Sequence, residues 1–258
     1  MRLRKLVALA AFIVVVTITM RMFLALIYVP AILTYHSIDG NEQVTKLSVC
    51  PEGFARQMDY FYKHKYNVAS LEEIVNLIKE KKRIPPKTIS ITFDDGLKNN
   101  FTCAYPILKK YNFPATIFVI TNIIGTEGYV SWDDIKEMDK NNITIGSHTN
   151  LHLWLPDLND EKLKEELVNS KEILEKNLGK KIDFLAYPLG AHDERVKKFA
   201  RDAGYKAACG TNPGFKKRWD DIYALKRVRI SRTSDNMFVL WFETNGYYTL
   251  VKEIRDKG

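Results

Sequence analysis

From residue 31 onward, short apolar runs alternate with longer segments whose apolar residues recur at helical spacing. Seven runs have the length and β-branched content of strands: Ala31–His36, Thr88–Phe93, Ala115–Ile120, Ile143–Ser147, Phe184–Tyr187, Lys206–Cys209 and Ala224–Ile230. Because strands that alternate with helices pair in parallel, the pattern predicts an α/β fold rather than a bundle or a sandwich. Seven such strands predict a distorted (β/α) barrel, and 258 residues are long enough to form it as one domain.

Helix starts are also visible between the predicted strands. Ser70 with Glu73, and Ser131 with Asp134, have the spacing of a capping box, in which two side chains satisfy free N–H groups at a helix start. Two more helices are predicted from their apolar stripes: Asn159–Leu178 and Ser234–Thr244. We expect these helices to form the outer layer of the barrel.

The first 30 residues differ in composition from the rest of the chain. Residues 6–30 are almost continuously apolar, broken only by Arg21, and they follow a basic cluster. Since about 20 apolar residues cross a bilayer, this segment predicts a single-pass plasma-membrane helix whose basic end stays inside. The alternative is a signal peptide, with secretion after cleavage. We therefore expect residues 1–30 to be an anchor or signal segment, and residues 31–258 to fold outside the cytoplasm.

The overall composition, net charge and cysteine count indicate the class of protein and the kinds of partner to expect. Hydrophobic residues at 46% and charged residues at 27% are ordinary for a globular chain. The basic residues behind the net charge of +8 are scattered among acidic residues, so we expect no nucleic-acid partner. We also expect the protein to be a monomer. Three widely spaced cysteines with no CxxC pair predict no disulfide framework.

Two adjacent carboxylates follow the second predicted strand. Asp94 and Asp95 come directly after Thr88–Phe93 and precede Gly96. The carboxyl ends of parallel strands gather at one face of a barrel, where active sites are built. Adjacent acids at such an end point in different directions, so one can bind a metal ion while the other faces a substrate. An ordinary Asp-Gly turn is the alternative for this segment.

Two histidines follow another strand at the same predicted rim. His148 and His152 lie four residues apart after Ile143–Ser147. Two imidazoles and one carboxylate supply the three protein ligands of a catalytic zinc site and leave a position open for water. A histidine pair alone is more often structural, but the carboxylate on another strand end favours a metal site here.

These residues resemble the polysaccharide deacetylase family, also called carbohydrate esterase family four. Five segments are similar to the family's motifs and follow in the same order: Thr92–Gly96, Phe113–Val119, Val130–Asp134, Ser147–His152 and Ala186–Gly190. The similarity covers nearly everything after the apolar N-terminal segment. One such match alone is weak, whereas five in order are specific.

The resemblance implies roles for individual residues of this chain. Asp95, His148 and His152 would hold a divalent metal ion, and Asp94 would be the general base that takes a proton from water. The backbone N–H of Leu189 would stabilise the oxyanion. Zinc is the expected metal, with cobalt or nickel as alternatives.

The chain departs from the family pattern at two places. The late Leu-x-His motif, source of the general acid, is missing, since no histidine lies in the last 66 residues. His36 instead resembles the acid of a branch with permuted motif order, which includes deacetylases of poly-N-acetylglucosamine; a packed strand histidine is the alternative.

Ala186 stands where many members carry an arginine that pairs with the catalytic aspartate. Arg227 and Arg229 are candidate replacements, with ordinary surface charges as the alternative.

Other polar and aromatic side chains are expected near this rim. Trp154 and Tyr187 are predicted to line the substrate groove, where an aromatic face can stack on a sugar ring; packing in the core is the alternative. Asn99 and Asn100 are expected to cap the helix that follows the Asp-Asp-Gly turn.

The expected function is hydrolysis of N-acetyl groups on a glucosamine-containing polysaccharide, such as poly-N-acetylglucosamine, peptidoglycan or a chitin-like polymer. Cleavage of O-acetyl esters from xylan is the alternative within the same chemistry. A wall-binding protein that keeps the fold without turnover is an alternative from another class, because Ala186 departs from the family pattern.

Overall fold

The secondary structure comes from a computed structural model, which describes residues 11–20, 22, 28–39, 47–211, 221–246 and 248. Within these residues the strands are β1 (Ala31–Tyr35), β2 (Asn67–Val68), β3 (Thr88–Phe93), β4 (Ala115–Val119), β5 (Ile143–Ser147), β6 (Phe184–Ala186), β7 (Ala207–Cys209) and β8 (Arg227–Arg229). The helices after β1 are α1 (Pro51–Lys63), α2 (Leu71–Lys79), α3 (Tyr105–Tyr111), α4 (Trp132–Asp139), α5 (Asp160–Lys164), α6 (Ser170–Leu178), α7 (Glu194–Asp202) and α8 (Met237–Thr244). Two π-helical turns directly precede α3 and α6: Asn100–Ala104 and Glu165–Asn169.

The strands form one parallel sheet that curves into a near-complete barrel. Their order is β7-β6-β5-β4-β3-β1-β8, and the short β2 pairs with β3. The two ends of the sheet meet because the Gly210 N–H donates to the Leu225 carbonyl (2.8 Å) and the Leu225 N–H donates to the Ala208 carbonyl (2.9 Å). The predicted parallel α/β barrel is therefore confirmed, and the carboxyl ends of its strands lie at one rim.

All seven predicted strands are present, two with the predicted bounds and the others shorter. The largest difference is at Ala224–Ile230, where only Arg227–Arg229 pairs with β1 and Leu225 instead bridges to Cys209 of β7. The helix predicted at Ser234–Thr244 begins later, as α8. No pattern predicts β2, because two residues are too short for alternation to show.

Side chains begin the helices where the capping signals place them. The Ser70 hydroxyl accepts from the Glu73 N–H (3.1 Å), and the Glu73 carboxylate accepts from the Ser70 N–H (2.7 Å), which confirms the predicted capping box. Ser131 and Asp134 form the second box, at the start of α4. The helix predicted at Asn159–Leu178 is also present, but the second π-helical turn separates α5 from α6.

Alternate strand residues pack on opposite faces of the curved sheet. On the outer face, residues such as Leu33, Ile91 and Ile117 belong to a large cluster shared with α1, α3, α4, α6 and α7. On the inner face, Phe118 and Phe184 belong to a smaller cluster that α2 completes. Apolar burial of this kind stabilises the fold by about 25 cal/mol per Å² and leaves the carboxyl rim to polar side chains.

The N-terminal segment is described only in part. Residues 11–20 are helical and exposed, whereas residues 1–10, 21 and 23–27 lie outside the described part of the chain, and so does much of the predicted anchor. Among the described residues, no helix combines the length and the apolar character needed to cross a bilayer.

Gly146 of β5 provides a test of the packing on the inner face. It is aligned with Phe118 of β4, and a Cβ atom at Gly146 would lie 2.5 Å from Phe118 Cδ1. Because the Phe118 ring is fully buried, we expect Gly146→Ala to lower the free energy of unfolding by about 1–3 kcal/mol in urea denaturation. In a Phe118→Leu background, the same substitution should lower the free energy of unfolding clearly less. Equal decreases in both backgrounds would show that the Phe118 ring does not limit the space beside Gly146.

Candidate active site

Neighbouring strand ends bring the predicted functional residues together. Tyr35 of β1 is aligned with Phe93 of β3, and β4 lies between β3 and β5. His36, Asp94 and His148 are the residues that directly follow β1, β3 and β5. Since these strands are parallel, the three residues lie at the same rim of the barrel.

Asp95, His148 and His152 form a compact cluster of candidate metal ligands. One ligand atom from each lies within 4.8 Å of the other two. The Oδ1 atom of Asp95 is 3.5 Å from Nε2 of His148 and 3.7 Å from Nε2 of His152. The structure therefore brings together the three side chains that were predicted as ligands.

His148 is oriented by the backbone of a neighbouring strand. Its Nδ1 lies 2.8 Å from the Ala186 carbonyl oxygen and donates to it, which leaves Nε2 facing Asp95. Burial alone would lower the pKa of His148, but the carboxylates of Asp94 and Asp95 outweigh that effect and raise it. A metal ion at Nε2 would therefore compete with a proton.

The ligand-bearing loops reach the cluster through unusual backbone conformations. Thr149 and His152 have φ angles of 66° and 58°, which residues other than glycine rarely adopt. Asp95 has a φ of 70° and is followed by Gly96 with 71°. Two of the three candidate ligands thus lie at strained backbone positions, and such positions concentrate at functional sites.

Asp94 is held by a buried arginine from the last strand. The two terminal nitrogens of Arg227 each donate to one Asp94 oxygen at 2.7 Å, and its Nε donates to the Gly210 carbonyl (2.9 Å). The guanidinium carbon lies 5.5 Å from the centre of the Phe118 ring. Both members of the ion pair are buried, so this bidentate contact fixes the direction of the carboxylate.

The ion pair keeps Asp94 in its charged form. Burial alone would raise the pKa of this carboxyl group, but Arg227, with smaller effects from His148 and His36, lowers it to about 2. Asp94 is therefore ionised across the whole neutral pH range.

The arginine missing at position 186 is thus replaced from β8. Ala186 is fully buried in the inner cluster, and of the two arginines predicted as replacements only Arg227 occupies the position beside Asp94. Arg229 lies two residues closer to the rim and is exposed, so its proposed role in tuning the base is wrong. The sequence did not separate the two, because residues two apart on a strand share a face.

His36 lies at the end of β1, next to this charged group. It is half-buried, and its Nδ1 has no hydrogen-bond partner among the described residues. Burial lowers the pKa of His36, and the positive charge of Arg227 adds to that effect, although Asp94 and Asp95 oppose it. The imidazole is therefore mostly neutral at pH 7 in the metal-free protein.

Asn99 and Asn100 hold the segment that carries His36 instead of capping a helix. The Asn99 side chain accepts from the Ile38 N–H (3.1 Å) and donates to the Ser37 hydroxyl (2.8 Å), and Asn100 donates to the His36 carbonyl (2.7 Å). The capping prediction is wrong because the helix here begins with a π-helical turn, without a side-chain cap. These contacts link residues about 60 positions apart, for which the sequence carries no local signal.

The other predicted groove residues differ in exposure. Tyr187 is fully buried, and its hydroxyl donates to the Tyr223 carbonyl (3.0 Å), which places its ring in the core. Trp154 is 49% exposed beyond the histidine pair. Leu189 is 66% exposed and has a φ of 55° on the turn that follows β6.

An open cavity of about 370 Å³ lies beside the candidate ligands. It is lined by Asp95, Ile120, Asn122, Ile123, Tyr129, Leu151 and His152. Most of these residues come from the loops after β4 and β5, and of those that are not candidate ligands only Leu151 lies in one of the five segments similar to family motifs. The cavity gives a ligand of small-molecule size direct access to the cluster.

Comparison with known proteins agrees with this geometry. A family model described as polysaccharide deacetylase matches residues 81–208. YxkH of Bacillus subtilis (strain 168), which is named as a polysaccharide deacetylase, is 34% identical over 200 residues, covering 78% of this chain and 71% of its own.

Two further comparisons extend the match over most of the barrel. A poly-β-1,6-N-acetyl-D-glucosamine N-deacetylase of Staphylococcus epidermidis is 27% identical over 233 residues, covering 84% of this chain and 75% of its own. The solved structure of the Streptococcus pyogenes deacetylase PplD in complex with acetate has a TM-score of 0.77 at 27% identity, covering 84% of this chain and 99% of its own.

The ion pair of Asp94 predicts a specific loss of stability in acid. Its folded pKa of about 2 lies below the ordinary value of 3.8, so the stabilisation is present above about pH 4 and is lost as the pH falls toward 2. In urea denaturation of the metal-free protein, the difference in the free energy of unfolding between wild type and Asp94→Asn should therefore decrease by on the order of 2 kcal/mol from pH 6 to pH 2. Asp133→Asn, at an exposed aspartate, is the matched control. A gap that stays constant with pH would contradict the assignment.

Proposed function

The chain belongs to the polysaccharide deacetylase family, and from this premise we propose that it hydrolyses N-acetyl groups of a glucosamine-containing polysaccharide with a divalent metal ion. The observation that carries the proposal is the cluster of Asp95, His148 and His152 beside the ionised Asp94. One relative is named for poly-β-1,6-N-acetyl-D-glucosamine, and the PplD structure holds acetate, the acid product of such a reaction. Poly-N-acetylglucosamine is therefore the proposed substrate, with peptidoglycan and chitin-like polymers as alternatives.

The donor set of the cluster fits a catalytic metal ion. Asp95 offers one carboxylate oxygen, while His148 and His152 each offer Nε2. The bond from His148 Nδ1 to Ala186 is the kind of second contact that orients a metal-binding imidazole. Three protein ligands of this type favour zinc, with cobalt or nickel as alternatives. When bound, such an ion supplies Lewis acidity toward water and a carbonyl oxygen.

Asp94 and His36 are the proposed proton carriers. Asp94 is ionised and oriented by Arg227, so it can accept a proton from water at any pH above about 4. His36 would give a proton to the leaving nitrogen, which an amide requires because the amide anion is a very poor leaving group. Because its pKa is lowered, the imidazolium form is the minor form at pH 7 and the stronger acid, so His36 must take up a proton from solvent before it gives one to the leaving nitrogen.

Two residues at the edge of the site are proposed to contact the substrate. The Leu189 N–H would stabilise the oxyanion that forms at the acetyl carbonyl. Trp154, exposed beyond the histidines, would stack on a neighbouring sugar ring. The buried Tyr187 would instead support the turn that carries Leu189.

We propose that residues 1–30 attach a monomeric catalytic domain, residues 31–258, to the outer face of the plasma membrane. Support comes from the almost continuous apolar run at residues 6–30, broken only by Arg21, after a basic cluster. The proposed polymer substrates also lie outside the cytoplasm. Release by signal cleavage is the alternative.

Removing a ligand and removing the base should have different effects. We expect Asp95→Ala to abolish both metal binding and acetate release. Asp94→Asn should retain the metal but lower kcat by about 10²–10⁴-fold, because the base is lost while the three candidate ligands remain. Metal content and released acetate are the measurements, and Asp133→Asn is the exposed control. Full activity of Asp95→Ala after chelation would overturn the proposal.

A panel of polymers separates the candidate functions in the same assay. Acetate release from poly-N-acetylglucosamine, peptidoglycan or chitin oligomers supports the proposed reaction and ranks its substrates. Release from acetylxylan alone would identify an O-acetyl esterase. Binding of a polymer by the metal-loaded protein without any released acetate would favour a wall-binding protein.

Substitution of His36 should affect amides more than esters. An alkoxide or phenolate leaves far more easily than an amide anion, so it depends less on a general acid. We expect His36→Ala to lower kcat by about 10²-fold or more on N-acetyl substrates and much less on an aryl acetate. His64→Ala, at an exposed histidine, should change neither rate. Equal losses on both substrates would contradict the acid role.

A further inference from the structure

Every backbone N–H of residues 149–152, called here the histidine loop, is bound by a side-chain oxygen. The donor and acceptor pairs are Thr149 to Ser147 Oγ (3.1 Å), Asn150 to Glu166 Oε2 (3.1 Å), Leu151 to Glu166 Oε2 (2.8 Å) and His152 to Thr149 Oγ1 (3.1 Å). These bonds hold a loop with positive φ angles at Thr149 and His152, a conformation that persists only when its surroundings fix it.

Glu166 supplies the central contact of this loop. Its side chain is buried, and one carboxylate oxygen accepts from two successive backbone N–H groups. Successive backbone N–H groups that converge on one acceptor form a nest, and here the acceptor is a single carboxylate oxygen. The contact lies one residue from His152, a candidate metal ligand.

The π-helical turn Glu165–Asn169 explains how this carboxylate reaches the loop. An uninterrupted helix is predicted here, but the inserted turn leaves Glu165 exposed and Glu166 buried. Ser170, the first residue after the turn, lies with its Oγ 2.9 Å from the Oγ of Ser147, which itself accepts from the Thr149 N–H. Turns of this kind recur at functional sites, and here the turn brings Glu166 to the middle of the histidine loop.

We propose that Glu166 is a positioning residue for the metal centre, which acts through the backbone of Asn150 and Leu151 to keep His152 beside Asp95. This inference rests on the metal centre of the proposed function. Glu166 itself is not one of the candidate ligands, which are Asp95, His148 and His152. Loss of a group that orients a metal ligand typically weakens metal binding by about 10–100-fold.

The experiment measures zinc affinity by competition with a chromogenic chelator on the full chain. We expect Glu166→Ala to weaken zinc binding by about 10–100-fold. Glu166→Gln should restore much of the affinity, because a single amide oxygen can still accept both N–H bonds. Glu165→Ala and Glu165→Gln are matched controls at the exposed neighbour, and both should bind zinc as wild type does.

Hydrogen exchange gives a second measurement that needs no substituted protein. In the metal-free wild type, the amides of Asn150 and Leu151 should exchange slowly, because both are bonded to a buried carboxylate. This keeps the inference testable even where Glu166→Ala does not fold.

The outcomes separate the two proposals. Tight zinc binding by wild type, with Glu166→Ala equal to Glu165→Ala, would overturn the role of Glu166 and leave the metal centre intact. Rapid exchange of both amides in wild type would also overturn it. Failure of the wild type itself to bind zinc or another divalent ion would overturn the metal centre and this inference with it.

Discussion

The buried ion pair between Arg227 and Asp94 is the contact on which the rim of this barrel depends. It joins the last strand to β3 across the inner face, where the guanidinium also binds the Gly210 carbonyl and lies over Phe118. Loss of one partner would leave a buried charge unpaired, at a cost of about 3–5 kcal/mol. The main consequence of the pair is therefore local: it keeps Asp94 ionised and fixes the direction of its carboxylate at the rim.

Because of this pairing, the two adjacent carboxylates have different partners. Asp94 is turned inward and occupied by Arg227, whereas Asp95 is partly exposed and faces the two histidines. Asp95 has a positive φ and lies in the turn directly after the strand, whereas Asp94 continues from the strand. A base and a metal ligand can thus come from neighbouring residues without competing for the same ion.

The sequence predicts those parts of the fold and site that depend on local patterns. The presence and order of the seven strands follow from hydrophobic periodicity, and both capping boxes follow from the spacing of serine and acidic residues. The convergence of Asp95 with the histidines follows from the shared rim of parallel strands. Contacts between distant segments do not follow. Arg227 and Arg229 are two residues apart on one strand and are therefore predicted on the same face. Only the packed structure shows that Arg227 is buried and Arg229 is exposed.

Two further features show the same limit. Asn99 bonds to Ser37 and Ile38 and not to its own helix, because tertiary hydrogen bonds outweigh the capping preference of asparagine. The π-helical turn that buries Glu166 interrupts a helix whose apolar stripe looks continuous. Both features hold loops of the site. At such sites, the conformation favoured by the local sequence often differs from the one that tertiary contacts impose.

The most direct test of this account is a crystal structure of the zinc-loaded protein with anomalous data at the zinc absorption edge. We expect one strong peak bounded by the Asp95 carboxylate and Nε2 of His148 and His152, with Asp94 still paired with Arg227. A peak coordinated by Asp94, or bound ion only at sites away from the two histidines, would contradict it.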